Sequence, residues 1–377
     1  MSSRVEYFPV TKCFNITTGK LNSNAAIENG KYPFFTCAKE LFHIDTHAFD
    51  QEALLLAGNN AQGQYDVKHY SGKFNAYQRT YVLTLANSEH SYDFYKYALQ
   101  AQLEKLKHDS KGTNTKYITM EILERTFLPV PLPQEQKRIA AILDKADAIR
   151  RKRQQAIQLA DDFLRSVFLD MFGDPVTNPK GWGVKELKKL TIKLGSGSTP
   201  RGGKEAYLEE GISLIRSLNI YDNKFVHKNL AFLSDEQAEK LKNVVIEKND
   251  LLLNITGASV CRATLVDNKI LPARVNQHVC IVRVKEDVIL PTYIARLITA
   301  KSYKQKLMSI ATAGGATREA LTKQQVESLE IIVPPIELQK KFEMIVIQIL
   351  DMLENAETQN KKPLFDSLSQ KAFTGEL

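Results

Sequence analysis

Three stretches of this 377-residue chain contain residue types that can do chemistry, and each lacks a part the chemistry needs. His43 and His47 stand four apart, as zinc-binding imidazoles do on one face of a helix, with Cys37 nearby. Ile44, however, sits where a zinc protease carries its general-base Glu, and Cys37 does not supply the missing part. Gly19-Lys20 would be the end of a phosphate-binding loop, but Leu21 follows instead of Ser or Thr, and the earlier glycine is absent. Asn178-Pro179 begins like the Asn/Asp-Pro-Pro-aromatic stretch that holds a target amine in amino-methyltransferases, but Lys180 follows. No nucleophile, base and orienting group form a recognisable set. The expectation is no catalytic residue, no metal and no cofactor in this chain.

What remains is hydrogen-bonding chemistry. Reading a base edge takes Arg, Lys, Asn, Gln, Ser or Thr presented in a groove, with other donors on phosphates. Six glycine-containing loops carry such residues: TTGKLNSN, AGNNAQGQ and SKGTNTK early in the chain, GSGSTPRGGK, NITGAS and AGGATRE later. Glycine lets a backbone approach a phosphate closely. The candidate contacts are Lys20, Asn59, Asn60, Gln62, Thr113, Asn114 and Lys116, then Ser198, Arg201, Lys204, Arg216, Thr256, Ser259, Asn276, Gln277, Thr317 and Arg318. Each could equally be part of an ordinary polar turn. The run Arg150-Arg151-Lys152-Arg153 fits a solvated or partner-facing helix surface or a phosphate contact. Trp182, the single tryptophan, reads as a core or docking residue.

The composition agrees. Lys and Arg number 51 against 43 Asp and Glu, a formal charge of +8 and a pI near 9.0, which suits a polyanionic partner. Hydrophobic residues make up 43%, enough for real cores. No secretory leader and no uncharged apolar run of spanning length is visible, and Cys13, Cys37, Cys261 and Cys280 have no CxxC spacing. A cytoplasmic protein with reduced thiols and no membrane partner is expected.

The elements that must position these loops come in duplicate. PLPQEQKRIAAIL begins at Pro131 and PPIELQKKFEMIV at Pro334, an offset of 334 − 131 = 203. Gln136 and Gln339, Lys137 and Lys340, Gly112 and Gly315, Thr119 and Thr322, and Leu123 and Val326 keep that offset. Upstream the register slips by a few residues: ALLLAGNNAQG resembles DLLLNITGASV, YQRTYVLTL resembles NQHVCIVRV, and GKYPFFTCAK resembles EGISLIRSLN. The period is far too long for a solenoid, so a domain is duplicated. Each copy opens with short β-branched or aliphatic runs bounded by Gly, Asn and Asp, which predict strands. A short helix then follows, around 92–106 and 291–310, before a glycine loop and a long helix.

The first long helix is predicted from about Gln134 to Met171. Ile142, Ala146, Ile149, Ala156, Ala160, Phe163 and Val167 recur in steps of three and four, with Arg153 filling the gap, as in a coiled-coil seam. The second shows Phe342, Ile345, Ile349, Met352 and Ala356, with a kink or restart expected at Pro363. If the two helices pack antiparallel, the repeat becomes an approximate two-fold. A helix of about 38 residues spans ~57 Å. Two similar but unequal modules so spaced could contact two different DNA half-sites.

The order of parts resembles the specificity subunits of type I restriction–modification systems. The residues that carry the resemblance are PLPQEQKRIAAILDKADAI, FLRSVFLDMFGDPVTNPKGW with GVKEL, and VPPIELQKKF, and it covers essentially the whole chain. It implies an α+β chain: two similar mixed α/β target-recognition domains, 1–132 and 174–333, separated by two long antiparallel coiled-coil helices, 133–173 and 334–377, about a pseudo-two-fold. It implies a non-catalytic subunit whose domains each read half of an asymmetric bipartite double-stranded DNA site while the helices set the gap. The helices would dock two methyltransferase subunits through Gln136, Ile142, Ile149, Phe163, Gln339, Phe342 and Ile349. Motor–nuclease subunits would join them. S-adenosylmethionine, ATP and magnesium would belong to those partners. Pro363, and Leu338 where the first motif has Glu135, depart from the tidier pattern and could loosen docking at that end. A coiled-coil scaffold without sequence-specific DNA binding is the alternative, and a self-sufficient nuclease or methyltransferase is a third reading for which no motif is visible.

Overall fold

The computed structural model describes residues 5–199, 203–313, 319–358 and 364–374. The chain divides into two compact units, Met1–Gln155 with Glu357–Leu377, and Ala156–Ala356.

Unit 1 is built on a six-stranded sheet. Its order in sequence terms is Phe14–Thr18, Thr80–Leu85, Phe49–Ala57, Val67–Ala76, Tyr32–Phe35 and Phe42–Ile44. All pairs are antiparallel except Tyr32–Phe35 with Val67–Ala76. The run Ala53–Ala57 is apolar without alternation because both faces of this central strand are covered. Leu54 and Leu56 join the cluster holding Phe94, Tyr95, Tyr97 and Leu99, while Ala53 and Leu55 meet Phe35, Phe74 and Val82.

Unit 2 repeats the arrangement in two sheets. Strands Thr191–Ser196, Val279–Val284, Leu251–Asn254 and Ala263–Leu265 form one; Ala231–Leu233, Ile212–Ile215 and Ala273–Val275 form the other. Again one central strand is buried on both faces: Leu251 and Leu253 face the cluster with Tyr293 and Phe342, and Leu252 faces that with Leu214 and Val275. Again the parallel pair links Ile212–Ile215 to the strand that precedes the Gln277 turn.

The single helix expected after the sheet is two helices in each unit: Tyr92–Ala101 and Leu103–Asp109, then Pro291–Thr299 and Lys301–Thr312. In unit 2 the break at Ala300, whose backbone is extended, restores burial. Leu307 lies nine residues beyond Ile298 and at about 100° per residue would fall on the opposite side of a straight helix. Both are buried.

The first long helix runs Pro133–Phe172 and the second Ile336–Thr358, followed by Leu364–Thr374; Pro363 lies outside the described residues. In unit 1, Ile139, Ala140 and Leu143 of the first helix share a core with Ala372. In unit 2, Leu164, Phe168 and Phe172 pack against Phe342 and Val346. The first turns of the long helix thus meet the end of the chain, and its last turns meet the start of the second long helix.

The module cores, more than a partner helix, claim the two ends of the first helix. Of the expected seam, Ile149 is 42% and Phe163 49% exposed, while Ala146 is buried and Ile142, Ala160 and Val167 are half-buried. At its C-terminus Trp182 closes the helix. Its indole Nε1 donates to the Phe172 carbonyl at 2.8 Å, and its backbone is held by Asn178 in both directions.

Candidate nucleic-acid interface

The loops named from sequence converge within each unit. In unit 1 the two-residue strands Asn59–Asn60 and Lys116–Tyr117 pair antiparallel, so AGNNAQGQ and SKGTNTK lie side by side. Ser23 and Asn24 of the first loop line an open cavity of about 450 Å3 together with Asn59, Cys37, Phe42 and Tyr77. Lys20, Gln62, Thr113 and Asn114 are exposed, and Asn59 and Lys116 half-buried. Asn60 is partly committed to shaping its own turn: its Oδ1 accepts from the backbone of Gln62 at 2.9 Å and Gln64 at 3.1 Å.

In unit 2 the same places are occupied. Thr256 bridges to Ala320, and Gly257 N donates to Glu319 O at 2.9 Å, so NITGAS lies beside Glu319 and Ala320. Thr256 Oγ1 lies 2.5 Å from His278 Nδ1, and Thr199 Oγ1 donates to Gln277 Oε1. Ser198 and Gln277 are exposed; Ser259 accepts from Asn254 Nδ2 at 3.1 Å. Arg216 donates to the Asn229 carbonyl and lies 5.1 Å over the Tyr207 ring, so its guanidinium is pinned on one side. Arg201, Thr317 and Arg318 lie outside the described residues, as does the side chain of Lys204.

Some assignments change. Asn276 is buried and its Oδ1 accepts from the His278 backbone at 3.1 Å, so its oxygen builds the turn. Gln136 and Gln339 are fully buried, as is Phe342, so none of the three offers a surface to a partner subunit. A polar residue on a long helix looks surface-bound from sequence; here each glutamine satisfies backbone groups inside its own unit. Ile142 and Ile349 are half-buried, whereas Ile149 and Phe163 are exposed.

One residue was missed. Gln78 is exposed beside the first loop, its Nε2 donating to Asn22 Oδ1 at 2.8 Å. The signal was available, because aligning YQRTYVLTL with NQHVCIVRV places Gln78 on Gln277.

Three backbone hydrogen bonds around these loops recur in both units. Gly58 N donates to Arg79 O at 2.9 Å, and Ile255 N to His278 O at 2.9 Å. Ile118 N donates to Gly58 O at 2.8 Å, and Leu321 N to Ile255 O at 2.8 Å. Tyr77 N donates to Phe35 O at 2.9 Å, and Asn276 N to Ile215 O at 3.1 Å. Among the described residues no group of His, Cys, Asp or Glu converges to hold a metal ion, and no helix is long and apolar enough to cross a membrane.

A scaffold repeated to the level of single hydrogen bonds, carrying different polar side chains at matching loop positions, defines a duplicated recognition protein. Comparison with known proteins gives its family. Residues 3–159 and 179–363 each match the type I restriction modification DNA specificity domain, and the chain belongs to that family. It is similar to the type I restriction enzyme EcoDI specificity subunit of Escherichia coli, 37% identical over 158 residues that make up 40% of this chain and 34% of that one. It is also similar to the EcoBI specificity subunit of Escherichia coli, 22% identical over 80% of this chain and 69% of that one. The first match therefore spans about a third of that relative's length. A crystal structure of the S subunit of a type I restriction–modification system from M. genitalium shares the fold, with a TM-score of 0.60 at 17% identity over 98% of this chain and 96% of that one.

Proposed function

We propose that this chain is the non-catalytic specificity subunit of a type I restriction–modification complex, and that each unit reads one half of an asymmetric bipartite site in double-stranded DNA. The observation that carries the reading is the matched pair of loop clusters: one scaffold twice, with Asn59 in the place of Thr256 and Arg79 in the place of His278. Identical modules would read a palindrome; these would read two unlike halves. The candidate loops supply amides, hydroxyls and ammonium groups, which suit base edges and phosphates.

The long helices fix the gap between the halves. Their exposed apolar side chains, Ile149, Leu159 and Phe163 on the first and Met344, Ile347 and Leu350 on the second, suit the docking of methyltransferase subunits, two per chain given two modules. Motor–nuclease subunits complete the restriction complex. S-adenosylmethionine, ATP and magnesium serve those partners, and the complex works in the cytoplasm, where its DNA lies.

The test is to co-express the chain with the methyltransferase encoded beside it and map N6-methyladenine across the host DNA. A methylated motif of two defined halves and a fixed gap is expected. An active methyltransferase without such a motif would remove DNA reading from these modules. Exchanging residues 1–132 for another module should change one half only.

A further inference from the structure

Gln78 and Gln277 occupy one structural position in the two units. Strand Thr80–Leu85 pairs with Phe14–Thr18, and Val279–Val284 pairs with Thr191–Ser196, in the same register: Thr18 faces Tyr81, and Ser196 faces Cys280. Each glutamine stands three residues before that strand partner, at the exposed end of its sheet.

A glycine brings the neighbouring loop to it. A Cβ on Gly19 would lie 1.8 Å from the Ala76 carbonyl oxygen, and one on Gly197 would lie 1.7 Å from that of Val275. No other residue allows this approach. It delivers Asn22 to Gln78 and Thr199 to Gln277.

The two contacts leave different groups free. Gln78 gives one of its two Nε2 hydrogens to Asn22 Oδ1 at 2.8 Å and keeps the other, and its Oε1 bonds to no described residue. Gln277 accepts on Oε1 from Thr199, and its Nε2 lies 3.2 Å from His278 Nε2. An amide nitrogen only donates, so His278 Nε2 accepts, and the ring's proton sits on Nδ1. That proton goes to Thr256 Oγ1 at 2.5 Å. The hydroxyl hydrogen of Thr256 and the second amide hydrogen of Gln277 are left to give.

We propose that Gln78 and Gln277 are the paired base-reading side chains of the two modules and that they present unlike groups. Gln78 offers its free oxygen, with one N–H beside it, and takes an edge with an amino group, N6 of adenine or N4 of cytosine. Gln277, with Thr256, offers hydrogens and takes acceptor edges, O6 or N7 of guanine or O4 of thymine. His278 does not touch the base; it sets the direction of the relay.

This rests on the reading of half-sites proposed above, and one experiment separates the two. The intact chain, co-expressed with its methyltransferase, is compared with Q78E, Q78L, Q277E and Q277L by mapping N6-methyladenine. Q78E keeps an acceptor but loses both amide hydrogens, so it should relax that position less than Q78L does. Q78L should relax one position of one half, with roughly tenfold loss of discrimination there. Q277E and Q277L should both relax one position of the other half. In each variant the untouched half reports that the chain is folded and assembled. A bipartite wild-type motif that survives Q78L, Q277E and Q277L unchanged overturns this proposal alone, as does equal damage from Q78E and Q277E. A wild type without a bipartite motif overturns the reading beneath it and this proposal with it.

Discussion

Gln136 and Gln339, 203 positions apart, make the same pair of hydrogen bonds. Gln136 accepts on Oε1 from the Ser91 backbone at 2.9 Å and donates through Nε2 to the Pro131 carbonyl at 2.9 Å. Gln339 accepts from the Leu290 backbone at 2.8 Å and donates to the Pro334 carbonyl at 2.9 Å. Ser91 and Leu290 are the residues that cap the short helices Tyr92–Ala101 and Pro291–Thr299. Each long helix is therefore pinned at its entry both to its own proline turn and to the first helix of its module.

Removing either amide leaves a backbone N–H and a carbonyl without that partner, buried at Gln339 and part-buried at Gln136. Gln136→Leu and Gln339→Leu should each cost about 2–4 kcal/mol. Denaturant unfolding of the full chain measures it. A loss below about 0.5 kcal/mol at either position would show that water reaches these groups.

A second relationship tests how the copies differ. Asp250, fully buried, takes a two-pronged ion pair from Arg283, with Nε to Oδ1 at 2.8 Å and Nη2 to Oδ2 at 2.8 Å. The hydrogen bond to Asp250 leads in holding the guanidinium above its usual range, and an arginine stays charged even when such a partner is lost. Asp250→Asn should cost about 3–5 kcal/mol. In unit 1 the same ladder positions carry Ala53 and Thr84, with no ion pair. The double variant D250A/R283T copies that solution and should recover more than half of the loss, read from the same unfolding curves. A double variant as damaged as D250N would show that the pair is tied to more than its own site.

Much of this duplication was legible before the structure. The alignments of ALLLAGNNAQG with DLLLNITGASV, YQRTYVLTL with NQHVCIVRV, and GKYPFFTCAK with EGISLIRSLN all agree with the observed ladder registers. They were visible because strands buried on both faces keep apolar runs. The direction of Gln136 and Gln339 was not visible, since a glutamine beside a lysine looks solvated until its backbone partners are known. The split helices were hidden for a related reason: Ile298 and Leu307 each fit a helical stripe, and only the core shows that one straight helix cannot bury both. In the recognition loops, polar composition marked the places but not the roles. Asn276 and Gln277 are adjacent, and one is buried in a turn while the other stands exposed.

The thiols should sort by burial. Burial pushes Cys13 up to about 11, partly offset by its contact with Tyr95; it pushes Cys261 up to about 12 and Cys280 up to about 11. At pH 8 roughly one in a thousand or fewer of these is thiolate. Cys37 is half-buried and borders the unit 1 cavity. Iodoacetamide on the native chain should label Cys37 first and the others only on unfolding, as counted by mass spectrometry. Fast labelling that persists in C37S would contradict the burial described.

Asp174 predicts an acid-side loss of stability. Burial works to raise its pKa, but hydrogen bonds from Ser302, Thr177 and Val176 outweigh it and hold the carboxyl below its usual value. A depressed folded pKa contributes stability that is full above the unfolded value, near 3.9, and is lost as the pH falls through the folded one. The stability gap between wild type and Asp174→Ala should therefore hold from pH 7 to about 5 and narrow below about 4. A gap that widened with acid would reverse the sign assigned to this carboxylate.

The exposed stretch of the first long helix makes the last prediction. Phe163 is 49% exposed and sits outside the buried set Leu164, Phe168 and Phe172 that anchors the helix in unit 2. A charge there should cost the isolated chain little, within about 0.5–1 kcal/mol, because exposed positions away from a core tolerate substitution. A docking face is different: an aromatic anchor at its centre can be worth 2 kcal/mol or more of binding. Phe163→Asp should therefore leave the unfolding curve near wild type while reducing co-purification of the methyltransferase by roughly tenfold or more. Leu164→Asp, one residue away but buried, should do the reverse and lower stability first. If Phe163→Asp unfolds the chain, the side chain belongs to the core despite its exposure. If it changes neither stability nor co-purification, the methyltransferase docks on another face, and the apolar side chains at Met344, Ile347 and Leu350 become the next to replace.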